Sequence, residues 1–299
     1  MMRELVFIHG RAQQHKDSVA LKAEWIEAFR KGLAKSGLDL PIPEISIRFP
    51  YYGDTLHELS SRRPPDQAAE VVVRGAAGAK DEQPDFILSV LNEMLAAAGI
   101  EDSAIAAEMD PNNPVVQRGV LNWGWVQAAL RVIDRRVPFG SGSSIALFTN
   151  DVYQYISSPG IRDQVDGGVR KAFTSGVSTV VVSHSLGTVV AYSLLGREGQ
   201  AAGWQVPCFV TLGSPLAITA IKRAFRPNKH PACVAHWFNA MDRHDVVALY
   251  PLDGTHFPIT PAVENKTDVM NHTDNRHGIA GYLDDAAVAK RIYDAVTAP

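Results

Sequence analysis

A serine that could act as a nucleophile, Ser185, lies between a strand-like run of residues and a helix-like one. Residues 177–182 are Val, Ser or Thr, a composition typical of a strand that is buried on both faces. From Thr188 onward, apolar residues recur at helical spacing. A sharp strand-to-helix turn exposes a serine hydroxyl, and the residues two positions away must be small. Ser183 and Gly187 are small, although glycine is usual at the first position, so the pattern predicts a reactive serine.

Candidate partners for this serine lie further along the chain. A serine hydroxyl is a poor nucleophile until an imidazole takes its proton, and a carboxylate must orient that imidazole. His277 lies just before the last predicted helix, so we expect it to be the base, with His272 and His256 as weaker alternatives. Asp242 and Asp245 both follow a predicted strand. We favour Asp245 because the two valines after it can anchor the loop in the core, and Asp242 stays an alternative acid.

Backbone amides must also hold the negative oxygen that forms when a carbonyl is attacked. The apolar run Leu5–Ile8 predicts a first strand, which ends in His9 and Gly10. A strand that breaks at a glycine into a polar loop can turn the next amide toward the reacting carbonyl. The sequence therefore predicts an oxyanion hole formed by the amides of Arg11 and Leu186.

Two tyrosines follow the second predicted strand, which covers Pro43–Phe49. Ligands of open α/β sheets bind outside the carboxyl ends of the strands, so these tyrosines could line a pocket. Packing at the sheet edge is an equally good interpretation. The predicted pocket residues are His9, Gly10, Tyr51, Tyr52 and His184.

Strand and helix patterns alternate outside one long insertion, which predicts an α/β fold with a mostly parallel central sheet flanked by helices. Further strands are predicted at Pro207–Leu212 and Cys233–Asn239, and helices at Ser18–Gly37, Ile161–Thr174 and Asp284–Val296. In the insertion, helix patterns occur at Gln67–Arg74, Phe86–Ala98, Asn113–Arg136 and Ile145–Ile156. We therefore predict a core formed by residues 1–55 and 159–299, with a helical cap inserted at residues 56–158.

Charge and cysteine content limit the functional classes. The chain of 299 residues has a net charge of −3, so it lacks the basic surplus that favours nucleic acid. Its two cysteines, Cys208 and Cys233, both lie in apolar, strand-like segments and read as buried small residues. Without a disulfide framework, a signal-peptide pattern or an apolar run of about 18 residues, we expect a cytoplasmic protein with no integral membrane segment.

Metal chemistry is not predicted. The histidines and acids of the C-terminal third lack the ligand spacing of a metal site. A glycine-rich segment at 75–80 lacks the spacing of a phosphate-binding loop. The sequence therefore predicts no metal and no cofactor.

Together these landmarks resemble the α/β-hydrolase superfamily, and in particular its lipase-like serine esterase branch. The resemblance implies an eight-stranded sheet or a trimmed version of it, a Ser185–Asp245–His277 triad, and an oxyanion hole from the amides of Leu186 and Arg11. It does not extend to residues 56–158. The segments that carry it are His9-Gly10, Ser183-His184-Ser185-Leu186-Gly187, Leu212–Leu216, Asp245–Ala248, and His277 with Gly281-Tyr282-Leu283.

The expected activity is hydrolysis of a carboxylic ester or thioester through an acyl-enzyme on Ser185. The expected partner is a small-molecule ester or a lipid-like substrate. An acyltransferase of the same fold would share the acyl-enzyme and is an alternative, and a non-catalytic binding protein that kept the fold is another. The sequence predicts neither the acyl and alcohol groups nor the oligomeric state.

Overall fold

The computed structural model describes residues 3–10, 17–53, 82–109, 123–136 and 142–299. Within these residues, one six-stranded sheet has the strand order β2-β1-β3-β4-β5-β6, and every neighbouring pair is parallel. All strands therefore end at the same edge of the sheet. The strands are β1 (Glu4–Ile8), β2 (Ile47–Arg48), β3 (Thr179–His184), β4 (Val206–Leu212), β5 (Val234–Ala240) and β6 (Glu264–Lys266).

Helices flank the sheet on both sides. In the described part of the chain they are α1 (Ser18–Ala34), α2 (Glu82–Ala97), α3 (Asp102–Ala107), α4 (Trp123–Arg136), α5 (Gly142–Ser157), α6 (Pro159–Arg170), α7 (Leu186–Leu194), α8 (Thr219–Ala224), α9 (Ile279–Leu283) and α10 (Ala286–Thr297). Two of them begin at an aspartate cap: Asp17 accepts from the first amides of α1, and Asp285 from those of α10. Such a cap satisfies amides that have no partner within the helix.

Each face of the sheet belongs to a different apolar cluster, because successive side chains of a strand point to opposite faces. Leu5 and Phe7 of β1 share one cluster with α1, α9 and α10. The Phe7 ring lies 5.3 Å from that of Trp25 in α1. Val6 and Ile8 share the other cluster with α2 to α8. The described helices of the 56–158 insertion thus share a core with one sheet face.

The chain changes direction across the sheet at β1. From β2, on one side of β1, it crosses to β3 on the other side. The helix after β1, α1, packs on one face, and the helix after β3, α7, packs on the opposite face. Loops that leave neighbouring parallel strands in opposite directions open a crevice, which is where ligands of such sheets bind. His9 and Gly10 after β1 and Ser185 after β3 lie at this crevice.

The predicted parallel sheet flanked by helices is confirmed, and several elements differ in extent. The strand prediction for Pro43–Phe49 is wrong in its first half, where Glu44–Ser46 forms a 3-10 turn after Pro43. Two elements, β6 and α9, were not among the predicted strands and helices. The predicted helix at Gln67–Arg74 and the start of that at Asn113–Arg136 lie outside the described residues. Within the described part of the chain, no helix combines the length and the apolar character needed to cross a membrane.

Candidate active site

Ser185 lies on a tight turn between β3 and α7. Its backbone has φ 54° and ψ −129°, a left-handed conformation that is rare for a residue with a side chain and costs energy. Neighbouring elements hold the turn in place. The Ser185 amide donates to the carbonyl of Leu212 at the end of β4 (3.1 Å), and the Thr188 hydroxyl donates to the Ser185 carbonyl (2.7 Å). The strain is thus maintained by hydrogen bonds on both sides of the serine.

The residues around the turn are small for identifiable reasons. A Cβ at Gly187 would lie 2.5 Å from the carbonyl oxygens of Ile8 and His9, so α7 can start this close to β1 only with glycine there. A Cβ at Gly10 would lie 2.8 Å from the Ser185 Cβ. Ser183, which replaces the usual glycine of the motif, is buried and donates its hydroxyl to a carbonyl of β4.

Three of the residues predicted from the sequence form a continuous hydrogen-bonded chain. The Ser185 Oγ lies 2.8 Å from Nε2 of His277. The opposite ring nitrogen of His277, Nδ1, lies 2.7 Å from Oδ2 of Asp245. The buried carboxylate thus faces Nδ1, and Nε2 faces the hydroxyl. An imidazole held in this way can accept a proton from the serine at Nε2 while Nδ1–H stays bonded to the carboxylate.

Asp245 is fully hydrogen-bonded in a dry environment. Its Oδ1 accepts from the amides of Val247 (2.8 Å) and Ala248 (3.3 Å), and its Oδ2 accepts from His277 and from the Tyr282 hydroxyl (2.6 Å). Burial alone would raise the pKa of Asp245, but the neighbouring His277 and these hydrogen bonds lower it below its usual value. Asp245 is therefore ionised at neutral pH.

The alternative acid, Asp242, faces a different group. Its Oδ1 accepts from the His244 amide (2.8 Å) and lies 3.2 Å from that residue's Nδ1. Its Oδ2 accepts from the amide of Asn271 (2.9 Å). The Asp242 carboxylate thus connects the end of β5 to the segment that leads to His277. The carboxylate that contacts the His277 imidazole is that of Asp245.

Asn271 closes the loop that presents His277. It is fully buried, its side-chain Nδ2 donates to the carbonyl of Gly278 (2.9 Å), and its Oδ1 accepts from the amide and hydroxyl of Thr273. The Thr273 hydroxyl in turn accepts from the Gly278 amide (2.9 Å). These bonds join residues on both sides of His277, so the loop has a defined shape without belonging to a helix or strand.

Two buried histidines, His9 and His184, support the site in their neutral form. His184 donates from Nε2 to the carbonyl of His277 (2.7 Å), and burial and the neighbouring His277 lower its pKa to about 3. His9 donates from Nδ1 to the Gly10 carbonyl (2.6 Å) and accepts from the Tyr52 amide (3.1 Å). Burial lowers the pKa of His9 to about 4. Both neutral rings therefore hold neighbouring backbone groups in place through hydrogen bonds.

The predicted pocket residues divide into packing residues and a contact with the serine. Tyr52 is buried, and its hydroxyl donates to the carbonyl of His9. Tyr51 is half-buried with its ring 5.4 Å from the His9 ring. Gly10 is the member of the set that packs directly on Ser185. The two tyrosines thus fix His9 at the end of β1.

Of the two predicted oxyanion donors, the structure describes Leu186 and does not describe Arg11. Leu186 is the first residue of α7, where backbone amides have no acceptor within the helix. Arg11 lies outside the described residues. The two weaker candidates for the base have other partners: His256 lies 2.9 Å from Asp253, and His272 lies 3.6 Å from Asp284.

Two residues of the site were not predicted as functional. Tyr282 lies in a segment, Gly281-Tyr282-Leu283, that resembles a family landmark, and no sequence motif includes Asn271. Each makes its site contacts across a gap in sequence: the Tyr282 bond to Asp245 spans 37 residues and the Asn271 bond to Asp242 spans 29. The available sequence signal is a tyrosine between Gly281 and Leu283, and it does not show what the hydroxyl contacts.

The described chain is thus an α/β protein with a hydrogen-bonded Ser–His–Asp chain at the carboxyl edge of its parallel sheet. No protein-family model, curated protein or solved structure matches it. Among the described residues, no group of three or more His, Cys, Asp or Glu side chains could hold a metal ion.

Proposed function

We propose that this protein is a serine hydrolase that cleaves a carboxylic ester or thioester through an acyl-enzyme on Ser185. The observation that carries the proposal is the unbroken chain of hydrogen bonds from the Ser185 Oγ through His277 to the buried, ionised Asp245. The strained turn at Ser185 supports it, because strain of this kind clusters at functional sites.

The mechanism follows from the positions of these atoms. Ser185 Oγ attacks the carbonyl carbon of the substrate as its proton moves to Nε2 of His277. Asp245 keeps Nδ1 protonated and stabilises the imidazolium that results. The negative oxygen of the tetrahedral intermediate accepts from the Leu186 amide, and the amide of Arg11 is the proposed second donor. His277 then protonates the leaving alcohol or thiol, and water, activated by the same nitrogen, releases the acid.

The finer assignments of fold and location belong to this proposal. We propose an α/β-hydrolase fold of the lipase-like serine esterase branch, with a trimmed sheet and with residues 56–158 as a helical cap over the site. The proposed substrate is a small-molecule or lipid-like ester, supported by the apolar character of the insertion helices α2 and α5. The two unpaired cysteines, Cys208 and Cys233, support a cytoplasmic location.

The test is covalent labelling with a fluorophosphonate, mapped to its residue by mass spectrometry, together with turnover of p-nitrophenyl esters of increasing chain length. Wild-type protein should label at Ser185 and hydrolyse at least one ester, and Ser185→Ala should do neither. Ser193→Ala is the matched control, because Ser193 is a buried serine on the same helix, with its hydroxyl bonded to Arg197. Folded wild-type protein that neither labels nor turns over, or a label on another residue, overturns the proposal.

A further inference from the structure

Asp245 has a second side-chain donor beside His277. The Tyr282 hydroxyl donates to Oδ2 of Asp245 over 2.6 Å, and this is the same oxygen that accepts from His277 Nδ1. Tyr282 lies in α9, which begins two residues after His277, and its side chain is fully buried. The helix that follows the histidine therefore returns a hydroxyl to the carboxylate that the histidine contacts.

The direction of this hydrogen bond is fixed by a second contact. The Asp242 amide donates to the Tyr282 hydroxyl oxygen (3.2 Å). With that amide as donor, the hydroxyl proton is directed to Asp245, whose ionised oxygen can only accept. Tyr282 is thus a donor of defined direction toward Asp245.

A glycine provides the space for this arrangement. Gly213, at the end of β4, has φ +56°, and a Cβ there would lie 3.0 Å from a ring carbon of Tyr282. The same Cβ would lie 3.2 Å from Asp245 Oδ2 and from Cε1 of His277. The three side chains therefore meet over one residue without a side chain.

We propose that Tyr282 is a positioning residue of the Ser185 reaction, which holds Oδ2 of Asp245 toward His277 and shares its negative charge. The inference rests on the proposed function. The amides of Val247 and Ala248 fix only Oδ1. With Tyr282 in place, both oxygens have two donors, so rotation of the carboxylate away from His277 breaks hydrogen bonds on both sides. Without it, Oδ2 has His277 alone.

The charged and titratable groups around His277 define what a pH profile of the site reports. Asp245 faces it from the loop after β5, and the His184 ring on β3 lies 4.7 Å away. Tyr282 approaches from α9, while Arg276, the preceding residue, lies 3.9 Å from Asp242. Since the pKa of His184 is about 3 and that of Asp245 is lowered, neither changes charge between about pH 5 and pH 9. Over that range, the rate of labelling reports on the proton acceptor of Ser185.

The experiment compares Tyr282→Phe with Tyr155→Phe. Tyr155 is a matched control, since it is also buried and donates to a buried aspartate, Asp166 (2.8 Å), in a cluster on α5 and α6. We expect Tyr282→Phe to reduce the rate of fluorophosphonate labelling and the kcat of ester hydrolysis about 10-fold, with KM unchanged. The pH midpoint of labelling should rise by several tenths of a unit, because Oδ2 then directs more charge to His277. Tyr155→Phe should change neither quantity.

A second variant keeps the ring and its hydroxyl. Difluorotyrosine introduced at position 282 has a more acidic phenol, which donates more strongly to Asp245 and should move the pH midpoint down, opposite to Tyr282→Phe. If wild-type protein labels but neither change at position 282 moves the midpoint, or if Tyr155→Phe reduces labelling as much as Tyr282→Phe, the positioning role is wrong. Failure of wild-type protein to label overturns the proposed function instead, so the two failures are distinguishable.

Discussion

His184 donates a hydrogen bond from Nε2 to the backbone carbonyl of His277 over 2.7 Å. His184, which directly precedes the proposed nucleophile Ser185, thus holds the main chain of His277. The ring of His277 in turn faces the Ser185 hydroxyl. Because the donor is a buried, neutral imidazole with a pKa of about 3, the contact persists at any pH at which the fold is stable. The lowered pKa of His184 also makes the stability of the protein depend on pH.

The first prediction is that stability falls as pH drops below about 6.5. Folding lowers the pKa of His9 to about 4 and that of His184 to about 3, from 6.5. The unfolded chain therefore takes up protons first, and the stability that is present above 6.5 is lost as pH falls toward 4. Each histidine contributes a slope of about 1.4 kcal/mol per pH unit in this range. Urea unfolding at several pH values measures the slope.

A pair of histidine variants checks the source of that slope. His184→Gln can keep a donor near the His277 carbonyl and should flatten the dependence between about pH 5 and pH 6.5. His236→Gln should leave it unchanged, since His236 is exposed on β5. Equal slopes for wild type and His184→Gln would contradict the prediction.

The second prediction concerns the close approach of α7 to β1. Gly187→Ala places a Cβ 2.5 Å from two backbone carbonyl oxygens and should lower the free energy of unfolding by about 3 kcal/mol. Gly168→Ala is the contrast, because a Cβ at this position in α6 meets nothing within 4 Å, and alanine is the better helix former by about 0.5 kcal/mol. Chemical denaturation should show opposite signs for the two variants. A Gly187→Ala protein of wild-type stability would mean that the turn has more room than the structure gives it.

The third prediction separates the two candidate acids. Asp245→Asn keeps the shape of the side chain but removes the charge beside His277, and kcat for ester hydrolysis should fall about 10⁴-fold. Asp242→Asn alters the anchor of Asn271 and should reduce kcat less than about 10-fold, while it lowers stability through the weaker bond to the Asn271 amide. Steady-state kinetics with a p-nitrophenyl ester, beside urea unfolding of both variants, gives the two quantities. If Asp242→Asn reduced kcat more than Asp245→Asn, the acid that orients His277 would be Asp242, and the prediction would be wrong.

Much of the sheet could be predicted because its strands are apolar and short. Residues 177–182 and Leu5–Ile8 have the composition of doubly buried strands, and the structure places them side by side as β3 and β1. β6 could not be predicted, since Glu264–Lys266 is polar and short and becomes a strand only through its backbone pairing with β5. The segment Pro43–Phe49 shows the opposite error, a predicted strand that is longer than the observed one. Its composition is typical of a strand, but only two of its residues pair with β1.

The site could be predicted in part for a related reason. Ser185 and Asp245 each follow a predicted strand, and His277 precedes the last predicted helix, so their places in the chain predict that they lie close together. The structure brings the three side chains together, and their chemical roles stay predictions. The two valines after Asp245 favour it over Asp242, but they do not show which carboxylate contacts His277, because the partners that hold the two acids, Asn271 and Tyr282, come from about 30 residues further on. Tertiary contacts of this kind leave no periodic pattern in a sequence.

The separation of Ser185 from His277 has a consequence for how the protein is made. The two residues are 92 positions apart, and His277 also depends on α9 and on the loop closed by Asn271 for its placement. A growing chain therefore carries Ser185 without the histidine that faces it until at least 92 further residues have been added. If Ser185 is the nucleophile, synthesis itself keeps it inert until the sheet that surrounds it can form.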